Sequence, residues 1–413
     1  MSLRILHTAD WHLGQTFFGY DREAEHEAFL SWLIQTLREQ ETDVLLISGD
    51  VFDVANPSAT AQRRFFRFLR EANQMCPYLQ IVIIAGNHDS AARLEAPIPL
   101  LEELHTTIVG IIPHTFSYEI DFDSLLVPLY NKEGRREALC LAVPYLRQGD
   151  YPASENGKDT YVAGITRMYN QLYEYAQTLR QPHEALVAMG HLHAIGAELT
   201  EDDRSERTLL GGLESVGLNA FDEGLAYTAL GHIHKAQRVA GRDQVRYSGS
   251  PLPMSFSEEH YHHQVVAVTL ENGCLSDWKS LPIPLQTSLQ RIPKKPALPE
   301  EVLTALSKLP TAEEQTDRNQ WPYVEVQVLL TEPNPGFRHR VEEVLADKAV
   351  RLTSIVPSYL QKEGESLQPL SYTDLQKIAP LDMLQYTFTN RYGGDLPEEL
   401  EQLFNEVLQE ISQ

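Results

Sequence analysis

Residues 3–12 read Leu3-Arg-Ile-Leu-His-Thr-Ala-Asp10-Trp-His12, an apolar run that stops at an aspartate and a histidine. A short run of this kind, rich in Leu and Ile and bounded by polar residues, reads as a buried β-strand. The same pattern recurs four times. Val44-Leu-Leu-Ile-Ser48 runs into Gly49-Asp50-Val-Phe-Asp53, and Ile81-Val-Ile-Ile-Ala85 runs into Gly86-Asn87-His88-Asp89. Ala185-Leu-Val-Ala-Met189 leads to Gly190-His191, and Ala226-Tyr-Thr-Ala-Leu230 leads to Gly231-His232-Ile-His234. Open α/β sheets place their sites at the carboxyl ends of strands, so the five polar segments are expected to gather at one edge.

A D-x-H or G-H dipeptide alone occurs by chance. Five such segments, each at the end of a predicted strand, form a ligand set. Carboxylates can bridge two cations, and neutral imidazoles complete each shell. Two divalent ions roughly 3.5–4 Å apart both activate a water and clamp the charge that develops when a phosphoester is hydrolysed. The residues present therefore point to dinuclear phosphoester chemistry.

Composition narrows the partners. The chain has 413 residues with 42% apolar and 22% charged residues, ordinary for a soluble globular protein. At about 100–200 residues per domain this length holds two or three domains. No run approaches ~18 apolar residues, so no membrane span is expected. The N-terminus enters the first motif strand with no signal-type apolar region, which makes a cytoplasmic location the expectation. Cys76, Cys140 and Cys274 are scattered, lack a C-x-x-C and suit a reducing compartment. The formal net charge of −24 excludes a strong basic footprint of the protein's own for nucleic acid. If the substrate is DNA, a partner is expected to supply much of the grip. No G-x-x-x-x-G-K-[ST] occurs, so ATP binding by this chain is not expected.

Helices are expected around 21–40, 58–75 and 160–180, with hairpin turns at Gly241 and at Asn272-Gly273. Two sheets sandwiched together would bury the apolar strands on both faces. The reading is an α/β fold: a two-sheet α/β sandwich over 1–283, a small α/β cap over 284–365 and a C-terminal helical segment over 366–413. Five prolines between 282 and 300 mark a linker. In the tail, Leu396, Leu400, Leu403, Phe404, Val407, Leu408 and Ile411 make one helical stripe, expected to dock on a partner. Phe65, Phe66 and Phe68 exceed what a one-sided helix needs, and either a homodimer contact or the chain's own core would use them.

The order D-x-H, G-D-x-x-D, G-N-H-D, G-H, G-H-x-H resembles the calcineurin-like metallophosphoesterases. Leu6-His-Thr-Ala-Asp10-Trp-His-Leu-Gly14, Ala85-Gly-Asn-His-Asp-Ser90, Leu230-Gly-His-Ile-His-Lys235 and Tyr247-Ser-Gly-Ser-Pro-Leu-Pro-Met-Ser-Phe256 are similar to the SbcD branch of that superfamily. These are nuclease subunits that work with a coiled-coil ATPase. The resemblance implies one ion on Asp10, His12 and His234, a second on Asn87, His191 and His232, and Asp50 as the bridge. It implies His88 as the group that protonates or stabilises the leaving oxygen, and Asp53 as an acceptor orienting an imidazole, His88 first. Two divalent ions are implied, Mn2+ ahead of Mg2+, Fe2+ or Zn2+. It further implies double-strand exonuclease and single-strand or hairpin endonuclease activity on DNA, a homodimer and a heterotetramer with the ATPase. The alternatives are a stand-alone phosphodiesterase for nucleotides or small phosphoesters, and a scaffold with a disused site. His193 imitates a ligand by spacing and is read as a bystander. Glu258–His263 is read as an exposed loop cluster rather than a second metal site.

Overall fold

The structure, a computed structural model, describes residues 2–101, 104–153, 160–197 and 215–359, with scattered residues between 381 and 404. The chain divides into two compact units, Met1–Gln286 and Thr287–Gln413.

In the first unit, β1 is Ser2–Thr8, β2 Thr16–Phe17, β3 Tyr20–Asp21, β4 Val44–Ser48, β5 Gln80–Ile84 and β6 Thr106–Val109. Next come β7 (Leu126–Tyr130), β8 (Arg136–Ala142), β9 (Ala185–His191) and β10 (Tyr227–Gly231). The last four are β11 (Gln237–Val239), β12 (Arg242–Tyr247), β13 (Gln264–Glu271) and β14 (Cys274–Pro282). One sheet has the order β14-β13-β1-β4-β5-β6, and the other β11-β12-β10-β9-β8-β7. The centres of both are parallel: β1, β4, β5 and β6 in the first, β8, β9, β10 and β12 in the second. Antiparallel strands β14, β11 and β7 finish three of the four edges, and parallel β6 is the fourth.

Burial follows the period of two along each strand. In β4, Val44 and Leu46 face the second sheet and share a core with Leu139, Leu141, Val187 and Ala229. Leu45 and Ile47 face the other way, with Leu33, Leu37, Phe65 and Leu69 of the helices Glu23–Glu39 and Ala59–Met75. The helix Tyr161–Leu179 joins the first core through Ile165, Met168 and Leu172. An α/β sandwich results, and this double covering explains why the strands read as unbroken apolar runs. Ser58 and Thr160 cap two of these helices by accepting main-chain N–H groups of Ala61 and Ala163.

The rings expected at a dimer contact settle the alternative at two of three positions. Phe65 and Phe68 are fully buried, with centroids 6.4 and 5.2 Å from that of Trp11. They fill the core beneath the first ligand loop. Only Phe66 is partly exposed.

In the second unit, β15 (Leu289–Ala297), β16 (Tyr323–Leu330) and β17 (Arg351–Tyr359) pair parallel in that order. Helices Pro299–Ser307 and Phe337–Leu345 cover it through Val302, Leu306, Val341 and Leu345. The linker expected over 282–300 is shorter. Strand β14 continues to Pro282 and β15 starts at Leu289, with Pro293 and Pro296 inside it. An edge strand tolerates proline where no partner needs the N–H, and the register of β15 shifts between Ile292 and Ala297. Of the tail stripe, Val407, Leu408 and Ile411 lie outside the described residues. Among the described residues no helix is long and apolar enough to cross a membrane.

Candidate metal centre

The five polar segments follow β1, β4 and β5 of one sheet and end β9 and β10 of the other. The first two loops are zipped together: Asp10, His12 and Leu13 donate their main-chain N–H groups to the carbonyls of Gly49, Asp50 and Val51 at 3.0, 3.0 and 2.9 Å. The Asp89 carboxylate accepts from Val51, Phe52 and Gly86 N–H at 3.1, 3.0 and 2.9 Å and so ties the second loop to the third. Asp10, His12, Asp50 and His232 have φ of 56°, 47°, 48° and 99°. Left-handed backbone at a non-glycine residue costs on the order of 1–3 kcal/mol, and its concentration on four predicted ligands marks the site.

The motif glycines are contact positions. A Cβ on Gly86 would sit 2.1 Å from Asp50 Oδ1, and one on Gly231 would sit 1.9 Å from the Ser48 carbonyl oxygen. Both would displace a ligand loop.

Side chains converge from both sheets. Ligand-capable atoms of Asp10, His12 and His234 lie within 4.8 Å of one another, and so do those of Asp10, Asp50 and His191. Asn87 Oδ1 is 2.8 Å from His191 Nε2 and 3.1 Å from His232 Nδ1. All seven predicted ligands therefore meet in one largely buried cluster, in which Asp10 and Asp50 stand together with His191. His191 donates from Nδ1 to the Ser48 carbonyl at 2.9 Å, which turns Nε2 toward Asn87 and Asp50 Oδ2, the latter 3.3 Å away.

The residues fit divalent metal binding. Asp10 Oδ2, Asp50 Oδ2 and His12 Nε2 are buried and find no hydrogen-bond partner among the described residues. Each such atom costs about 1–3 kcal/mol if nothing satisfies it. Mixed oxygen and imidazole donors suit first-row divalent ions. Protonation reports the same demand. Burial raises the Asp10 carboxyl to about 6, against the pull of His191 and His234. For His191, burial acts downward, but the Asp50 carboxylate outweighs it and lifts the imidazole to about 10. For Asp50, burial acts upward, and the imidazoles of His191 and His12 hold it well below the usual carboxylate range.

His88 joins His12 and Asp50 in a third group of ligand-capable atoms within 4.8 Å. Its main-chain N–H donates to Asp50 Oδ1 at 2.8 Å, and its Nδ1 donates to the carbonyl oxygen of Asp53 at 2.8 Å. Asp53 thus acts on two imidazoles by different groups. Its carbonyl, not its carboxylate, holds His88, while Oδ1 stands 3.4 Å from His12 Nδ1. His193 shares a 2.8 Å hydrogen bond between Nδ1 and Ser215 Oγ and belongs to no ligand group among the described residues.

Sequence reasoning misses two buried acids. Asp89 stands out there only as the last residue of a motif. Glu258 belongs to a segment that reads as exposed, yet Glu258 is fully buried and His263 is buried beside it. Glu258 Oε1 accepts from His234 Nδ1 at 3.0 Å. No spacing rule links positions 234 and 258. The one available signal is an acid close to the Ser-Gly-Ser-Pro run.

Residues 3–236 match the calcineurin-like phosphoesterases, and residues 286–392 match the type 5 capsule protein repressor C-terminal domain. The SbcD subunit of the nuclease SbcCD from Rhodobacter capsulatus is 37% identical over 360 residues, covering 86% of this chain and 87% of its own. The chain belongs to the SbcD family. The Escherichia coli K12 protein of the same name is 37% identical over 291 residues, covering 68% of this chain and 69% of its own. That of Bacillus subtilis is 28% identical over 424 residues and spans 98% of this chain and 97% of its own. In this SbcD-family chain the phosphoesterase match contains every predicted ligand, and Glu258 lies beyond its end.

Proposed function

We propose that this chain is the nuclease subunit of an SbcCD-type complex and hydrolyses DNA phosphodiesters with a pair of divalent ions. The observation that carries the reading is the convergence of seven donors from two sheets, three of whose buried atoms have no hydrogen-bond partner among the described residues. Asp10, His12 and His234 would hold one ion, Asn87, His191 and His232 the other, and Asp50 both. Mn2+ is the first expectation, with Mg2+, Fe2+ and Zn2+ as alternatives. Bound ions supply an activated water and neutralise charge on the phosphoryl oxygens.

The protein's own contribution is positional. Asp50 and Asp53 fix the main chain and Nδ1 of His88, leaving Nε2 for the leaving oxygen, which it protonates or stabilises. The Asp53 carboxylate steadies His12. The net charge of −24 disfavours unaided DNA binding, so an SbcC-like coiled-coil ATPase supplies the grip on DNA. The complex is a heterotetramer built on a homodimer of this chain, located in the cytoplasm, with double-strand exonuclease and single-strand or hairpin endonuclease activity.

Linear duplex and hairpin DNA, incubated with Mn2+, ATP and the ATPase, test this against a chromogenic phosphodiester. DNA cleavage that needs Mn2+ and rises with the ATPase supports the reading. Cleavage of the small diester with indifference to DNA in the full complex would move the chain to the stand-alone phosphodiesterases. Light scattering tests the dimer.

A further inference from the structure

The structure assigns Glu258 as the positioning residue for His234, and through it for the ion site of Asp10, His12 and His234; the assignment rests on the metal-centre reading above. Glu258 ends a short 3-10 turn, Phe256–Glu258, and is fully buried. A buried carboxylate is costly unless both oxygens are used. Oε1 accepts from His234 Nδ1 at 3.0 Å, and Oε2 accepts from the main-chain N–H of Met254 at 2.8 Å. The first bond commits the proton of His234 to Nδ1. The lone pair then falls on Nε2, the nitrogen remaining for the cluster with Asp10 and His12. An imidazole that donates to a carboxylate is also a stronger donor to a metal.

The turn is itself held in place. The buried Arg22 guanidinium donates from Nη1 to the Pro253 carbonyl and to Gln15 Oε1, both at 2.7 Å. Its Nε and Nη2 pair with Glu25 at 3.2 and 2.8 Å. Ser250 N–H donates to the His234 carbonyl at 3.1 Å, and His263 Nδ1 donates to the Ser250 carbonyl at 2.9 Å. Segment 250–263 therefore clasps His234 by its carbonyl and its ring, and Arg22 fastens that segment to the start of helix Glu23–Glu39. A carboxylate held from both sides and presented to one ligand nitrogen is set to fix a tautomer.

The test compares the full-length protein with Glu258→Gln. Glutamine keeps the volume, but its one carbonyl oxygen can accept from Met254 or from His234, not from both. Manganese titration followed by electron paramagnetic resonance reads the two sites separately. One class of site is expected to weaken about 10–100-fold while the other stays within about twofold. The melting temperature of the metal-free protein is expected to stay within a few degrees. Unchanged affinity at both sites would overturn the assignment, as would equal weakening of both with a lowered melting temperature.

A second measurement needs no variant. Two-bond 1H–15N spectra of the wild-type protein should show His234 as the Nδ1–H tautomer. An Nε2–H tautomer sinks the proposal whatever the variant does. Wild-type protein that takes up no Mn2+ sinks the metal-centre reading and this inference with it. Normal uptake with an indifferent E258Q sinks the inference alone.

Discussion

Asp50 divides its carboxylate between the main chain and the metal pocket. Oδ1 accepts the His88 N–H at 2.8 Å, while buried Oδ2 faces His191 Nε2 at 3.3 Å and His12 Nε2 at 3.8 Å. Asp50→Asn can keep the first contact, because an amide oxygen also accepts. It removes the charge that the second needs. Mn2+ affinity is expected to fall by more than about a hundredfold, beyond the ~10–100-fold range of an outer-shell change. Calorimetric titration decides this, and uptake of two ions by the variant with wild-type affinity would refute the bridging role.

His88→Gln should separate chemistry from binding. The main-chain bond to Asp50 survives, and both ions are expected to bind within about threefold of wild type. The rate of diester cleavage should fall by about 10²–10⁴, the usual worth of a positioned acid or base. Parallel titration and rate measurements check it. A variant that loses an ion together with its activity would make His88 a ligand.

Gly86→Ala tests the packing of the ligand loops. The new methyl would lie 2.1 Å from Asp50 Oδ1 and 2.3 Å from Asp50 N, where neither atom can yield without moving the loop. Overpacking of this kind costs about 1–3 kcal/mol. Urea denaturation should show that loss, and Mn2+ uptake should fall further than stability does.

The strand runs and the ligands that end them were legible because both signals are local. A doubly covered strand such as Val44–Ser48 is apolar throughout, and each ligand lies within a few residues of its strand. What failed to show was set by long-range packing. Phe65 and Phe68 look like surplus on a helix until Trp11 is placed beneath them. Pro293 and Pro296 look like a linker until β15 is found at a sheet edge. Glu258 looks like part of a solvated cluster until His234 arrives from 24 positions upstream. The carboxylate and carbonyl of Asp53 serve different imidazoles, a division that residue type cannot encode.

Metal binding should release protons. Without an ion, Asp50 holds the His191 imidazole at about 10, and His12 is raised as well, since Asp53 and Asp50 outweigh its burial. The His191 ring therefore binds a proton at neutral pH that a cation must displace, and the upward shift of His12 acts in the same direction. The sign is fixed: affinity rises with pH and weakens on acidification. Between pH 8 and 6.5 apparent Mn2+ affinity should drop by at least ~10-fold per unit. Titration heats should differ between Tris and Pipes by the difference in their ionisation heats for one or more protons. Heats that match in the two buffers would contradict the protonated cluster.

His7, three residues before Asp10, gives the sandwich an acid-sensitive joint between its sheets. It lies on β1, and its Nδ1 meets the Tyr227 hydroxyl of β10 in the other sheet at 2.9 Å. Burial pushes its pKa from 6.5 down to about 3, and Arg246 adds to the effect. The folded state thus refuses a proton that the unfolded chain accepts. Above pH 6.5 neither state is protonated, and the contribution to stability is complete. As pH falls from 6.5 toward 3, stability is lost at about 1.4 kcal/mol per unit. His26 is also lowered to about 3 by burial and has the same sign. His7→Gln should cost stability at pH 7, because the sheets lose their ring contact. From pH 7 to pH 5, however, the variant should lose about 2 kcal/mol less than wild type, the value of 1.5 pH units below 6.5. Urea unfolding of both metal-free proteins at the two pH values measures the difference. A gap between them that stays constant with pH would show that His7 is not the group that makes the fold acid-sensitive.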